Sequence, residues 1–411
     1  MHGLSALVLA ALLSYTEAKI CQNLSIPVQI DARTGIFNLS QPTDATDLTT
    51  FAQHLATQGA NYTEQLLTGY NTTSGTYNIS ATYCKPSNAT SNSSATVQFL
   101  THGIGFDKSY WDLPYNDYSY SYVNVAVDQY GYSTLAIDRL GTGMSSHADP
   151  ISVVQAASEL SAIYQITTML RLGAIPALNG TRPSKIVHVG HSFGSALSYS
   201  LSAMYPNATD GLILTGFSTN GTFVSTTIAA WNLQIASANQ PFRFGGLNVT
   251  TSVAEILVNY GLFDLTAGLA PTMTPMDLED GYVTWANLAS NQFTFLAPPY
   301  YDPAIGPYTE STKQPFTLGE MLTLGSMPKT TTFTGPALII TGNEDAIYCG
   351  GNCTNTGGVA ANIPALAASA LPMASPFQAY IQPGAGHAIN VHFNATGAYG
   401  VIQDFLKSNN F

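Results

Sequence analysis

Ile186-Val187-His188-Val189-Gly190-His191-Ser192-Phe193-Gly194-Ser195 is the stretch on which the reading of this chain turns. The β-branched run from Ile186 to Val189 reads as a buried strand that stops at Gly190. The small and apolar residues from Ala196 to Tyr205 then read as a helix. Strand, Gly-x-Ser-x-Gly, helix is the arrangement that throws a serine hydroxyl out at the top of a sheet. Gly190 and Gly194 carry no Cβ, so strand and helix can close tightly around a strained Ser192. The helix aims its first N–H groups at the place where negative charge would develop. A chain with 35 glycines can produce this pentapeptide by chance, but the β-run before it and the helix after it mark Ser192 as a nucleophile.

Outward from this stretch, strands and helices alternate. Thr96 to Thr101 predicts a strand running into His102-Gly103-Ile104-Gly105-Phe106, and Ser133 to Asp138 predicts another, ending in Asp138-Arg139-Leu140-Gly141-Thr142-Gly143-Met144-Ser145. A long helix is expected over Ile151 to Leu172 and a short strand over Gly211 to Phe217. The pattern is that of an α/β chain with a mostly parallel central sheet and helices on both faces. It breaks over 219–333, where helical stretches (Val224 to Ala238, Ser252 to Gly261) lead into loops holding Phe293, Phe295, Pro298, Pro299, Tyr300, Tyr301, Pro303 and Pro307. An insert of that length at a sheet edge covers something, so 219–333 is read as a largely helical cap. The sheet pattern resumes with Ala337 to Thr341, which leads to Gly342-Asn343-Glu344-Asp345. Pro364 to Ala370 is helical in character, Phe377 to Gln382 is a strand ending at Gly386-His387, and Ala395 to Leu406 is the closing helix.

The core is therefore placed at 96–218 and 334–411. Residues 19–95 are rich in Thr, Ser and Asn; only Tyr77 to Tyr83 reads as a strand, with a short helix over Asp47 to Gln58 capped by Asp44 or Thr46 and a loop over Lys85 to Ala95. They are expected as a glycosylated extension packed on the core.

A serine hydroxyl needs a base, most often a histidine oriented by a carboxylate. Asp345 and His387 each lie just beyond a predicted strand, and the order Ser192, Asp345, His387 is the one this arrangement uses. His392 is the rival base and Glu344 the rival acid. His191 would point away from Ser192, His188 faces strand packing, and His54 and His147 have nothing beside them. Asp138, with Arg139, can tie the turn after its strand. The oxyanion donors are expected to be the backbone N–H groups of Phe193 and Ile104, on a loop shaped by His102 and Gly103; losing one such donor costs about 3 kcal/mol in barrier. No ligand cluster for a metal is apparent, and no cofactor is called for.

Composition bounds the setting. The 411 residues are 45% hydrophobic and 9% charged, with net charge −12 and an isoelectric point near 4.8. No basic stripe exists to neutralise phosphates, which argues against nucleic acid as a partner. Leu4 to Leu13, followed by Ser14 to Glu17 and Ala18, reads as a secretory signal over 1–18, too short to span a bilayer. No later stretch is long and apolar enough for a span, and Lys407 to Phe411 is no anchor tail, so a soluble secreted protein is expected. Thirteen Asn-x-Ser/Thr acceptors (Asn23, Asn38, Asn61, Asn71, Asn78, Asn88, Asn92, Asn179, Asn207, Asn220, Asn248, Asn352, Asn394) agree with a glycosylating pathway. The four cysteines then suggest two disulfides with three possible pairings. Cys349 and Cys353 read as a local staple, leaving Cys21 with Cys84; the rivals are free thiols or a zinc site, and no histidine pair sits at ligand spacing beside them.

Taken together, the chain resembles the α/β-hydrolase fold family, and within it secreted fungal serine hydrolases with a helical lid. The residues that carry the resemblance are His102-Gly103, Asp138-Arg139-x-Gly141-x-Gly143-x-Ser145, Gly190-His191-Ser192-Phe193-Gly194, Gly342-x-x-Asp345 and Gly386-His387. It implies catalytic roles for Ser192, Asp345 and His387 and a lid over 219–333. Dehalogenases and epoxide hydrolases of similar layout place Asp where this chain has Ser192. The fold hosts many reactions. The first expectation is hydrolysis of a carboxylic ester, lactone or thioester of a small hydrophobic substrate. The alternatives are a biosynthetic acyl transfer, cyclisation or lactone opening with the same triad, and a catalytically silent binding protein.

Overall fold

Apolar runs too long to alternate must be covered on both sides, and that is how they are used here. A computed structural model describes residues 19–87, 96–246 and 276–411. Its central sheet has eight strands: β1 (Ile20–Phe37), β2 (Leu67–Lys85), β3 (Val97–Thr101), β4 (Ser133–Ile137), β5 (Ile186–His191), β6 (Gly211–Thr215), β7 (Ala337–Gly342) and β8 (Phe377–Gln382). They lie in the order β1-β2-β4-β3-β5-β6-β7-β8. From β4 to β8 every neighbouring pair is parallel. All residues of β3 to β7 are buried. Adjacent residues of β3 reveal the two covers: Gln98 Nε2 donates to Gln403 Oε1 of the closing helix Ala395–Ser408 at 2.6 Å, while the Phe99 ring packs on His188. The ring of His188 meets Thr167 of helix Ala156–Leu172 at 2.9 Å. The core is thus a three-layer α/β arrangement.

The largest departure from expectation lies in 19–95. Rather than an extension packed on the core, residues 20–37 and 67–85 are two strands of the sheet itself, paired antiparallel along their whole length. β2 then joins β4 through Ala81–Cys84 opposite Thr134–Ile137. In β1 the buried Ile26, Val28, Ile30 and Ala32 alternate with exposed Pro27, Gln29, Asp31 and Arg33. That is the pattern of a strand with one face on the core. The helix Ala156–Leu172 lies against β1, starting five residues later than expected, and Gln155 exchanges two 2.9 Å hydrogen bonds with the Gly35 backbone. Cys21 sits opposite Cys84 at the open end of the hairpin and is bonded to it, and Cys349 is bonded to Cys353.

The link between β1 and β2 carries helix Ala45–Ala56, capped by Asp44, and helix Tyr62–Leu66, capped by Asn61. Between β6 and β7 the chain forms helices Val224–Trp231, Leu288–Phe295, Ile305–Thr312 and Leu318–Thr323 around a small antiparallel sheet of Gln234–Ile235, Tyr282–Thr284 and Phe316–Thr317. The first of these helices ends at Trp231, short of the expected Ala238. Helix Val224–Trp231 packs against helix Ala45–Ala56, so insert and hairpin link meet. The proposed signal 1–18, the helix expected over Ser252 to Gly261 and the acceptors Asn88, Asn92 and Asn248 lie outside the described residues. Of the other acceptors, nine are exposed; Asn220 is half-buried and donates to Tyr348 O at 2.8 Å. Among the described residues no helix is long and apolar enough to cross a membrane.

Candidate active site

β5 ends at His191 and helix Phe193–Met204 begins two residues later, so Ser192 alone makes the turn. It does so at φ +53° and ψ −118°, a conformation L residues rarely adopt. The flanking glycines make room. A Cβ on Gly190 would lie 2.4 Å from Gly194 O, and one on Gly194 would lie 2.2 Å from Thr101 O. A Cβ on Gly103 would lie 2.8 Å from the Ser192 Cβ, so the loop after β3 rests directly on the serine. His102 fixes that loop: its Nδ1 meets Gly103 O at 2.8 Å, and its Nε2 accepts from Arg139 N–H at 3.0 Å. Ile104 and Phe193 line the same cavity as Ser192. The Phe193 N–H belongs to the first helical turn, which has no intrahelical acceptor. The Ile104 N–H has no acceptor among the described residues. Two donors beside a hydroxyl can receive an oxyanion.

Asp345 and His387 are both fully buried and meet through Oδ2 and Nδ1 at 2.8 Å. Thr341 donates to the same Oδ2 at 2.5 Å, and the N–H groups of Ile347 and Tyr348 donate to Oδ1 at 2.8 and 2.9 Å. Burial pushes the carboxyl up, but His387, Thr341 and the backbone donors outweigh it and hold it below the ordinary carboxylate range. A carboxylate accepting from Nδ1 leaves the lone pair on Nε2. That nitrogen is buried and has no hydrogen-bond partner among the described residues, Ser192 Oγ included. Such bonds are commonly long in an empty site and tighten around substrate. Serine and imidazole nevertheless flank one spot: Ser192 N–H donates to Thr215 O at 2.9 Å, and a Cβ on the next residue, Gly216, would lie 3.1 Å from His387 Cε1.

The other candidates are engaged elsewhere. His392 Nε2 accepts from Ala297 and Gly386 N–H, both at 3.0 Å, which ties the insert to the His387 loop. Burial lowers its pKa to about 4. The Glu344 carboxylate meets Asn343 Nδ2 at 3.4 Å, and its backbone N–H donates to Ala385 O at 3.0 Å. The His191 ring stacks on Tyr110 at 4.3 Å, with its Nδ1 3.2 Å from Thr215 Oγ1. Its pKa is driven well down by burial, then by His387 and His102. His54 and His147 do have neighbours, the rings of Tyr62 and Tyr282. Asp138 ties its turn through Lys108 N–H at 2.8 Å and Met144 N–H at 3.1 Å, without Arg139. The Arg139 guanidinium instead joins Glu159 of the core to Glu320 of the insert and lies 4.9 Å from the centre of the Phe193 ring. Neighbouring residues at a strand end point to opposite faces, which separates the two.

The cavity holding Ser192 measures about 670 Å³. Its walls come from three parts of the chain: the core (Ile104, Phe193, Tyr348), the insert (Ile228, Trp231, Phe295, Met321) and the β1–β2 hairpin (Leu55 and Tyr62 of the link, Tyr70 of β2). The link's share is absent from the sequence reading. Of the aromatic residues singled out in the insert, Phe295 lines the cavity, whereas Phe293 and Tyr300 are exposed.

Comparison with curated proteins by sequence gives no match. Among solved structures, the chain is similar to a thermophilic esterase from Thermogutta terrifontis (14% identity, 81% of this chain and 95% of that one, TM-score 0.44). It is similar to epoxide hydrolase A from Mycobacterium thermoresistibile (15%, 80% and 95%, TM-score 0.46). It is also similar to a monoacylglycerol lipase from Paleococcus ferrophilus (13%, 76% and 95%, TM-score 0.45). Residues 99–397 match the alpha/beta hydrolase family, and the chain belongs to it.

Proposed function

We propose that this chain is a secreted serine hydrolase that cleaves a carboxylic ester of a largely apolar substrate through Ser192, His387 and Asp345. The observation that carries the reading is the buried Asp345–His387 pair, with Nε2 unbonded, beside a serine held in a strained turn. His387 Nε2 takes the proton as Ser192 Oγ attacks the carbonyl carbon. The oxyanion accepts from the N–H groups of Phe193 and Ile104. Collapse expels the alcohol, which receives the proton from His387, and water repeats the sequence on the acyl-enzyme. The described residues of the 219–333 insert act as a lid over this cavity, supported by Ile228, Trp231, Phe295 and Met321 among its walls. Two disulfides, nine exposed glycan acceptors and the apolar leader support secretion.

A fluorophosphonate probe and p-nitrophenyl esters of graded acyl length test this. Wild type is expected to be labelled at Ser192 and to cleave the esters. Ser192→Ala should lose labelling and roughly 10⁴-fold or more in kcat, and Asp345→Asn about 10⁴-fold. Ester cleavage undiminished in Ser192→Ala would overturn the assignment.

A further inference from the structure

Shortly after His387 the chain makes a 3₁₀ turn, Ile389–Val391, and a second buried histidine, His392, follows it. The turn brings its ring back onto the residues that flank His387. Nε2 of His392 accepts from Gly386 N–H at 3.0 Å, and Nδ1 meets Ala388 O at 2.9 Å. A carbonyl can only accept, so Nδ1 carries the proton and Nε2 offers a lone pair. A protonated ring would set a third donor against the N–H groups; burial, which takes the pKa of His392 to about 4, keeps it neutral. One imidazole thus grips the backbone on both sides of the base.

The insert completes the grip. Ala297 N–H also donates to His392 Nε2 at 3.0 Å, and Ala388 N–H donates to Phe295 O at 3.1 Å. A Cβ on Gly386 would lie 2.9 Å from Phe295 O and 3.1 Å from Ala297 N, so the insert runs directly against the loop. The base depends on that loop. Asp345 holds the His387 ring through Nδ1, while Nε2, the atom that takes the proton, has no partner among the described residues. A ring bonded at one nitrogen can pivot about that bond. Where Nε2 stands is then set by the backbone that carries His387. Misplacing a reacting group by 1 Å costs about 10²-fold in rate.

We propose that His392 is the positioning residue of the catalytic base: by clasping Gly386 and Ala388 it sets where His387 Nε2 stands relative to Ser192 Oγ, and through Ala297 it seats the cavity wall at Phe295 against the same loop. This deepens the ester-hydrolase reading and rests on it.

The test compares the ethyl and p-nitrophenyl esters of one fatty acid in wild type, H392F, H392Q and Y282F. Active sites are counted with a fluorophosphonate carried to completion, so unfolded molecules drop out. An ethoxide leaves only with a proton from His387, whereas p-nitrophenolate leaves without one, so a misplaced imidazole harms the ethyl ester more. Phenylalanine keeps the ring and removes every hydrogen bond; glutamine can still accept through Oε1 and donate through Nε2. Per titrated site, kcat/KM for the ethyl ester should fall about 10²-fold in H392F, with a smaller loss for the p-nitrophenyl ester. H392Q should lose less, skewed the same way, and it carries the test if H392F does not fold. Tyr282 Oη ties the insert to the core by donating to Ala148 O at 2.7 Å, away from His387, so Y282F should leave the ratio of the two esters unchanged. Equal losses for the two esters, or none, in the His392 variants would overturn the proposal, as would the same skew in Y282F. A further measurement needs no turnover: the far-downfield proton signal of the His387–Asp345 bond, assigned by its loss in His387→Ala, should exchange with water faster in H392Q than in wild type. If wild type cleaves no ester but this exchange quickens, the ester-hydrolase reading falls and the positioning role stands. If esters are cleaved and the exchange is unchanged, the positioning role falls and ester hydrolysis stands.

Discussion

Ser192 carries its strain in the backbone. At φ +53° the Cβ crowds the chain, and an L residue in such a region costs about 1–3 kcal/mol. The surroundings enforce it: Ser192 N–H is held by Thr215 O, its carbonyl accepts from Ala196 N–H at 3.0 Å, and Gly190 and Gly194 are closed on each other. Both Ser192→Ala and Ser192→Gly remove the hydroxyl, but only glycine also removes the strain. Glycine gives back about 0.5–1 kcal/mol in unfolded-state entropy, so Ser192→Gly should be more stable than Ser192→Ala by about 1 kcal/mol in urea titration. Equal stabilities would mean that the turn is unstrained. At this scale the sequence was informative, because Ser192, Asp345 and His387 each follow a strand, and a strand end fixes where the next residue sits. Partners across the fold were not legible. Nothing near Arg139 in the sequence names Glu159 or Glu320, and the adjacent Asp138 suggested a pair that strand geometry forbids.

The elements are tied together at that arginine. Arg139 leaves β4, Glu159 sits in helix Ala156–Leu172, and Glu320 belongs to the capping box of helix Leu318–Thr323 in the insert. All three side chains are buried. Burial holds the Glu159 carboxyl well above its ordinary range against the pull of Arg139, with Glu320 adding to the rise. Removing the cation leaves two carboxyl groups facing each other without water. Arg139→Met is therefore expected to cost about 3–5 kcal/mol, read from chemical denaturation. Replacing all three residues with apolar ones of similar volume should recover most of that loss, and a single variant as stable as wild type would mean the cluster ties nothing. β1, missed in the sequence, and β2, read there only over Tyr77 to Tyr83, belong to one hairpin with a signal: in β1, Ile26, Val28, Ile30 and Ala32 alternate with polar residues. It was diluted by the Ser, Thr and Asn of a hairpin whose outer face stays in water, whereas β3 to β7, covered on both faces, stand out as apolar runs.

For the whole molecule, net charge and stability point in opposite directions. A chain of net charge −12 is self-repelling at neutral pH, and protonating its carboxylates relieves that repulsion. Five of its eight histidines, however, are held neutral inside the fold. Burial takes His188 to about 3 and His147 and His392 to about 4, and His102 and His191 also lie well below the ordinary value. An unfolded chain protonates each near pH 6.5. As pH falls from about 6.5 towards 4 the unfolded state binds protons that the folded state refuses, so stability falls by up to about 1.4 kcal/mol per pH unit for each such histidine. Asp345, lowered, adds its own loss only below the ordinary carboxylate range. Glu159 and Asp107, both raised first by burial, work in the opposite sense, since the folded state holds their protons more tightly. With more groups on the histidine side, the urea midpoint is expected to drop steeply between pH 6.5 and 4. His392→Gln should lessen that slope by at most the share of one proton while lowering stability at pH 7, because its ring accepts two backbone N–H groups there. A midpoint that stays flat down to pH 4.5 would mean that these imidazoles take up protons without opening the fold.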